Sequence, residues 1–195
     1  MPEKSITPSA AGLRALSHPT RLKILGRLRI EGPSTATQLA QELKLNTGAT
    51  SYHLRQLAEH GFIEDDRERG DARDRWWRAA HDSTHANLDA GIESEEAADS
   101  SEAYLHTVAL MYTETLMQYA GERRFLPQPW RQASTISDWH VRLTPERADE
   151  LMIALVRVIE DFRADEEGTS GAADFVVNLN AFPRPGTVGL EGDDR

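Results

Sequence analysis

Cysteine is absent from the 195 residues. That excludes disulfides, thiolate metal sites and cysteine nucleophiles together. Long apolar runs are missing as well: no stretch approaches the roughly 18 residues of a membrane helix. The opening residues (MPEKSITPSAAG) hold no apolar core of signal-peptide length, so the expectation is an intracellular, cytoplasmic chain with no membrane partner. Internal repeats and long low-complexity tracts are lacking. So are a phosphate-cradling glycine loop, a GxSxG elbow and an HExxH motif. Acids are plentiful but spread over predicted helix surfaces. The row Asp138, His140 and Arg142 reads as an exposed sheet face rather than a catalytic site, and no enzymatic activity or cofactor is expected. His81 and His85 are spaced i, i+4, but a lone pair supplies too few ligands for a closed metal site, so none is expected.

What is present is an uneven charge. The net formal charge is −10, which argues at first against nucleic acid. Residues 1–80, however, carry 13 Lys and Arg against 10 Asp and Glu, whereas residues 81–195 carry 9 against 22. Salt screens such charges over about 8 Å, so the acidic half weakens phosphate binding by the basic half without abolishing it. The length suits one or two domains with a real core, and the asymmetry suggests two modules with different partners.

Residues 10–17 form a short predicted helix with Leu13 and Leu16 inward. His18-Pro19 breaks it, because the residue before proline is pushed out of the α region. Pro19 then opens a second helix, with Leu22, Leu25 and Leu28 inward and Arg21 and Arg29 outside, ended by Gly32-Pro33. A third helix starts near Thr35, with Gln38 completing a capping box and Leu39, Ala40 and Leu43 on its apolar side. After Lys44-Leu45-Asn46, a fourth helix spans about 47–60. Asn46 is its N-cap, Ala49, Leu54, Leu57 and Ala58 its inner positions, and Gly61 its stop. Phe62-Ile63-Glu64 and 75–78 read as strands around a charged loop. Adjacent Trp76 and Trp77 then point to opposite faces, one of them into the core. Helix, short turn, helix and β-hairpin make a winged helix-turn-helix.

The second half holds a predicted long helix at 101–122. Its apolar stripe is Leu105, Val108, Tyr112, Leu116 and Tyr119. Residues 135–143 alternate as a strand, Thr144-Pro145-Glu146 starts a helix to about Asp165, and 174–182 reads as a final strand. The predicted class is α+β, with the winged helix-turn-helix followed by an acidic domain holding a long helix and a βαβ unit. The predicted divisions are a DNA-binding domain at 1–80, a linker or helix lead-in at 81–100, a dimerisation and candidate effector domain at 101–183, and a flexible tail at 184–195.

A helix that enters the major groove must present short polar side chains near its N-terminus. The segment from Asn46 to His53 is rich in hydroxyls and free of acids. It offers Thr47, Gly48, Thr50, Ser51 and Tyr52, with Arg55 a turn further on. Gly48 contributes only its backbone N–H. The wing offers Arg67, Arg69, Arg73 and Arg75 for phosphate or minor-groove contact, although its own acids Asp65, Asp66, Glu68, Asp71 and Asp74 cut against this.

LRALSHPTRLKILGRL followed by TATQLAQELKLNTGATSYHLRQLAEHGFIE resembles the ArsR-like (arsenical-repressor-like) winged helix-turn-helix regulators over about residues 11–80. The resemblance implies a homodimeric repressor on a two-fold symmetric double-stranded DNA operator, read by the segment from Thr47 to Tyr52. Metal-sensing members carry paired cysteines on the helix here spanning 35–43, and this chain has none. The C-terminal half lies outside the resemblance. Two other readings stand beside the regulator: a protein-interaction module whose acidic half binds a basic partner, and a regulator with a small-molecule effector held between helix 101–122 and the βαβ unit.

Overall fold

A computed structural model of the chain describes residues 4–69, 75–85, 95–162, 165–166 and 168–189. The chain divides into two compact units, residues 1–125 and 126–195, and each is taken by itself.

The first unit runs β1 (Ser5–Ile6), α1 (Ala10–Leu16), α2 (Pro19–Ile30), β2 (Ser34–Thr35), α3 (Ala36–Glu42), α4 (Thr47–Glu59), β3 (Ile63–Asp65), β4 (Trp76–Ala79), β5 (Ser83–Thr84) and α5 (Glu95–Glu122). A 3-10 turn at Arg123–Phe125 ends it. Local chemistry sets these bounds. Ser9 caps α1 by accepting from the Gly12 amide. His18 caps α2, its Nδ1 accepting from the Thr20 amide at 3.1 Å, with Pro19 at the first helical position. At α3 the capping box is complete: the Gln38 amide donates to Thr35 Oγ1 at 3.2 Å, and the Thr35 amide donates to Gln38 Oε1 at 3.0 Å. Gly61 has φ 74°, left-handed backbone open to glycine at little cost, and it turns the chain from α4 into β3.

The core gathers Leu16, Ile24, Leu25, Leu39, Leu54, Leu57, Phe62 and Trp77, all at most 5% exposed. Each such side chain contributes about 1.5–3 kcal/mol by leaving water. β3 and β2 flank β4, both antiparallel, with Glu64 opposite Arg78 and the two joined by an ion pair at 2.9 Å. Trp77 is buried and Trp76 half-buried, as neighbours on a strand require. β1 pairs with β5 in parallel.

Several expectations change. Ile24 joins Leu25 and Leu28 inside, and Arg21 and Arg29 are half-buried rather than outside. Arg21 Nε donates to the Ala15 carbonyl. Arg29 ties α2 to the segment after the wing through the His81 carbonyl at 2.9 Å and Thr84 Oγ1 at 2.8 Å. His81 and His85 flank the strand β5 and so share no helix face. The long helix starts at Glu95 and presents an inner face of Ser100, Ser101 and Thr107, with Thr107 Oγ1 2.9 Å from the Ser17 carbonyl. The predicted stripe at Leu105, Tyr112 and Leu116 is exposed. Small hydroxyl residues permit close approach to α1, which a row of leucines does not.

The second unit holds α6 (Gln128–Ala133) and α7 (Pro145–Asp161). Thr144 caps α7, its Oγ1 accepting from the Arg147 amide. The predicted βαβ unit is not formed: residues 135–143 and 174–182 carry no strand, and no described residue from 126 to 189 is buried. Alternation records a face that wants cover, but a ladder needs a partner, and two strands alone are marginal.

Candidate nucleic-acid interface

The turn between α3 and α4 is made by residues 43–46, where Lys44 sits at φ 54°. Asn46 Oδ1 accepts from the Ala49 amide at 2.7 Å. The Thr47 and Gly48 amides are left at the positive end of the helix, where an anion is favoured. From there the helix divides by its period. Leu54 and Leu57 are buried and belong to the core.

Thr50 belongs to that inner row, at i, i+4 and i+7 with Leu54 and Leu57. It is 0% exposed, and its hydroxyl donates to the Asn46 carbonyl at 3.1 Å. A side chain sealed in this way has no access to a base edge, so its place as a DNA-contact residue is corrected to a packing one. Thr50, not Ala49, is the inner residue of the first turn. The outer row keeps the rest of the expected set. Thr47 and Gly48 are exposed, Ser51 is half-buried and Tyr52 is 51% exposed. Arg55 is exposed, its Nε donating to the Ser51 carbonyl at 3.3 Å.

Behind this surface lies a support that the sequence did not announce. The rings of His18 and His53 lie 4.5 Å apart, and Tyr52 meets His53 edge-on at 5.6 Å. His53 Nδ1 is buried without a hydrogen-bond partner. Burial, then the positive Arg21 beside it, holds His18 below the usual histidine range. Burial, then His18 and Arg21, does the same for His53. Both rings are therefore neutral at pH 7. The sequence signal for this lay at His53, which sits beside Leu54, predicted to face inward, whereas His18 lies between Ser17 and Pro19.

In the wing, Arg67 and Arg69 are exposed. Arg73 and the Gly70 tip lie outside the described residues. Arg75 is engaged locally: its guanidinium lies 4.1 Å over the Trp77 ring, and Nε is 3.2 Å from Asp65 Oδ2. Asp65 and Glu64 thus answer Arg75 and Arg78, while Asp66 is buried. The wing acids oppose phosphate binding less than a bare count implies.

An exposed, acid-free helix start behind a short turn, flanked by an arginine-bearing hairpin, defines the DNA-binding transcription regulators of the winged helix-turn-helix class. A model of the helix-turn-helix domain matches residues 16–66. Over 66 residues the chain is 36% identical to the HTH-type transcriptional regulator YgaV of Escherichia coli (strain K12), spanning 34% of this chain and 67% of that protein. The chain belongs to the family of helix-turn-helix transcriptional regulators that includes YgaV. Among solved structures, a double mutant of Lactococcus lactis ZitR in apo form is similar at 20% identity and a TM-score of 0.34, over 75% of this chain and 84% of that one. Wild-type ZitR in complex with DNA gives 20% identity and a TM-score of 0.32, over 72% and 74%. No described helix is long and apolar enough to cross a membrane.

Proposed function

We propose that the protein is an ArsR-like repressor that binds an inverted-repeat operator as a homodimer in the cytoplasm. Thr47, Gly48, Ser51, Tyr52 and Arg55 face the base edges, and Arg69, Arg73 and Arg75 lie along the phosphates. The observation that supports this is the outer row of α4: exposed, hydroxyl-bearing and without an acid until Glu59. Short side chains there suit a major groove, and the helix N-terminus favours a phosphate. The effector reading has less support, since the βαβ wall on which it rested is not formed within one chain.

Selection from random duplexes by the nucleic-acid-free protein tests the reading. A two-fold symmetric site should be enriched. Ser51→Ala and Thr47→Ala should change base preference at positions related by that symmetry, by about 1–3 kcal/mol per altered pair. Enrichment of no site, together with stoichiometric capture of a basic protein, is the result that favours an interaction module instead.

A further inference from the structure

Residues 126–189 have an amphipathic helix and two β-patterned segments, and none of their described residues is buried. Trp139 is 79% exposed, Phe162 83%, Phe175 57% and Phe182 72%, and the row Leu151, Leu155 and Ile159 on α7 lies open as well. A monomer exposes apolar patches of a few hundred Å² at most. At roughly 100 Å² apiece, these seven side chains present about 700 Å² per copy, so about 1,400 Å² across a two-fold interface. That is the area of a standard specific protein–protein interface.

The sequence of the first segment supplies the second argument for a second copy. Asp138, Trp139, His140, Val141 and Arg142 are opposite in charge about His140. Paired antiparallel with itself around that residue, the segment sets Asp138 against the partner's Arg142 at both ends, with Trp139 against the partner's Val141 on the other face. Such self-complementarity is what an isologous contact requires, and directly opposed charges stabilise a ladder. Within one chain Asp138 meets His140 at 3.0 Å, with both side chains more than 80% exposed.

We propose that residues 126–189 of two copies complete one another, the 136–143 segments pairing antiparallel across a two-fold axis at His140 and the apolar face of α7 closing over the joined sheet. This deepens the dimer of the reading above by naming its surface. Four strands and two helices then form a layer pair that two strands and one helix cannot.

The test is sedimentation equilibrium on the full chain, read beside site selection on DNA. Wild type should be dimeric at micromolar concentration. Asp138→Arg should raise the dimer dissociation constant by roughly tenfold or more, through two new like-charge pairs, and the swap Asp138→Arg/Arg142→Asp should restore it. Both side chains are exposed in one chain, so the substitutions leave its fold intact. A second measurement uses the lack of cysteine. His140→Cys places two thiols on the axis, where directly opposed Cα atoms are about 4.5–5.5 Å apart, and mild oxidation should join two chains. Leu110→Cys on α5 should not. A monomeric wild type, a swap that fails to restore the dimer, or cross-linking through Leu110→Cys in place of His140→Cys overturns the proposal. A monomer that still selects a site refutes this dimer alone. A restored dimer that selects none supports it and refutes the DNA reading.

Discussion

At the residue scale the face of α4 proposed to meet DNA is backed by two neutral histidines. His18 and His53 face each other, Arg21 and Tyr52, and folding lowers the affinity of both rings for protons, first through burial and then through the positive neighbours. The sign follows directly. In the unfolded chain each titrates near 6.5, so below that pH the unfolded state binds protons that the folded state refuses. Stability is full above about pH 6.5 and falls as the pH drops through that value toward the lowered folded-state ones. Thermal unfolding at pH 5.5 and 7.5 should therefore show a lower midpoint in acid, and His53→Gln should narrow the gap. An equal gap in that variant would place the acid sensitivity elsewhere. The pairing of the rings was not legible, because His53 next to Leu54 reads equally as surface or core until a partner is known, and His18 between Ser17 and Pro19 has no apolar neighbour to mark it. Thr50 was legible: counting back from Leu54 and Leu57 by four and seven reaches it, whereas hydroxyl content alone put it among the base readers.

At the element scale, short-range chemistry carried most of the reading. Pro19 at a helix start, the Thr35 and Gln38 box, Asn46 and Gly61 each act within four residues. Each bound its helix within a residue or two of the expected place. What failed was the choice of inner face where apolar residues were not the ones buried. α5 offers a leucine and tyrosine stripe yet packs on α1 through Ser100, Ser101 and Thr107, because close packing of helix backbones selects small side chains there. The Asn46 cap can be tested as an element. Its side chain satisfies one of the unpaired amides of α4 at 2.7 Å, and Asn46→Ala should cost about 1 kcal/mol of stability, measured by urea unfolding. Because the cap also orients the Thr47 and Gly48 amides, the same change should weaken binding to all DNA sequences alike. A loss confined to one base pair would mean that Asn46 reads the DNA itself.

At the scale of the whole molecule, two oppositely charged halves share one chain. The division into a near-neutral, mildly basic half and a strongly acidic one was plain in the sequence. The state of the acidic half was not, since alternation shows that a face wants cover but cannot name the chain that covers it. The long-range consequence concerns affinity. A protein of net charge −10 approaches a polyanion unfavourably, so binding must come from local cations held close to phosphate, where screening over about 8 Å hides the rest. Each neutralised phosphate releases counterions, and the slope of log K against log salt is about −0.9 per contact. A dimer using Arg69 and Arg73 with one further contact per copy neutralises roughly six phosphates, giving a slope near −5. Arg69→Ala is exposed and leaves the fold alone. It should weaken specific and nonspecific DNA about equally and flatten the slope by about 2, one contact from each copy. Salt titration by fluorescence anisotropy measures both. An unchanged slope would remove the wing from the phosphates and leave α4 as the whole contact, with the opposed charges of the wing, Arg75 on Asp65 and Arg78 on Glu64, serving only to hold the hairpin together.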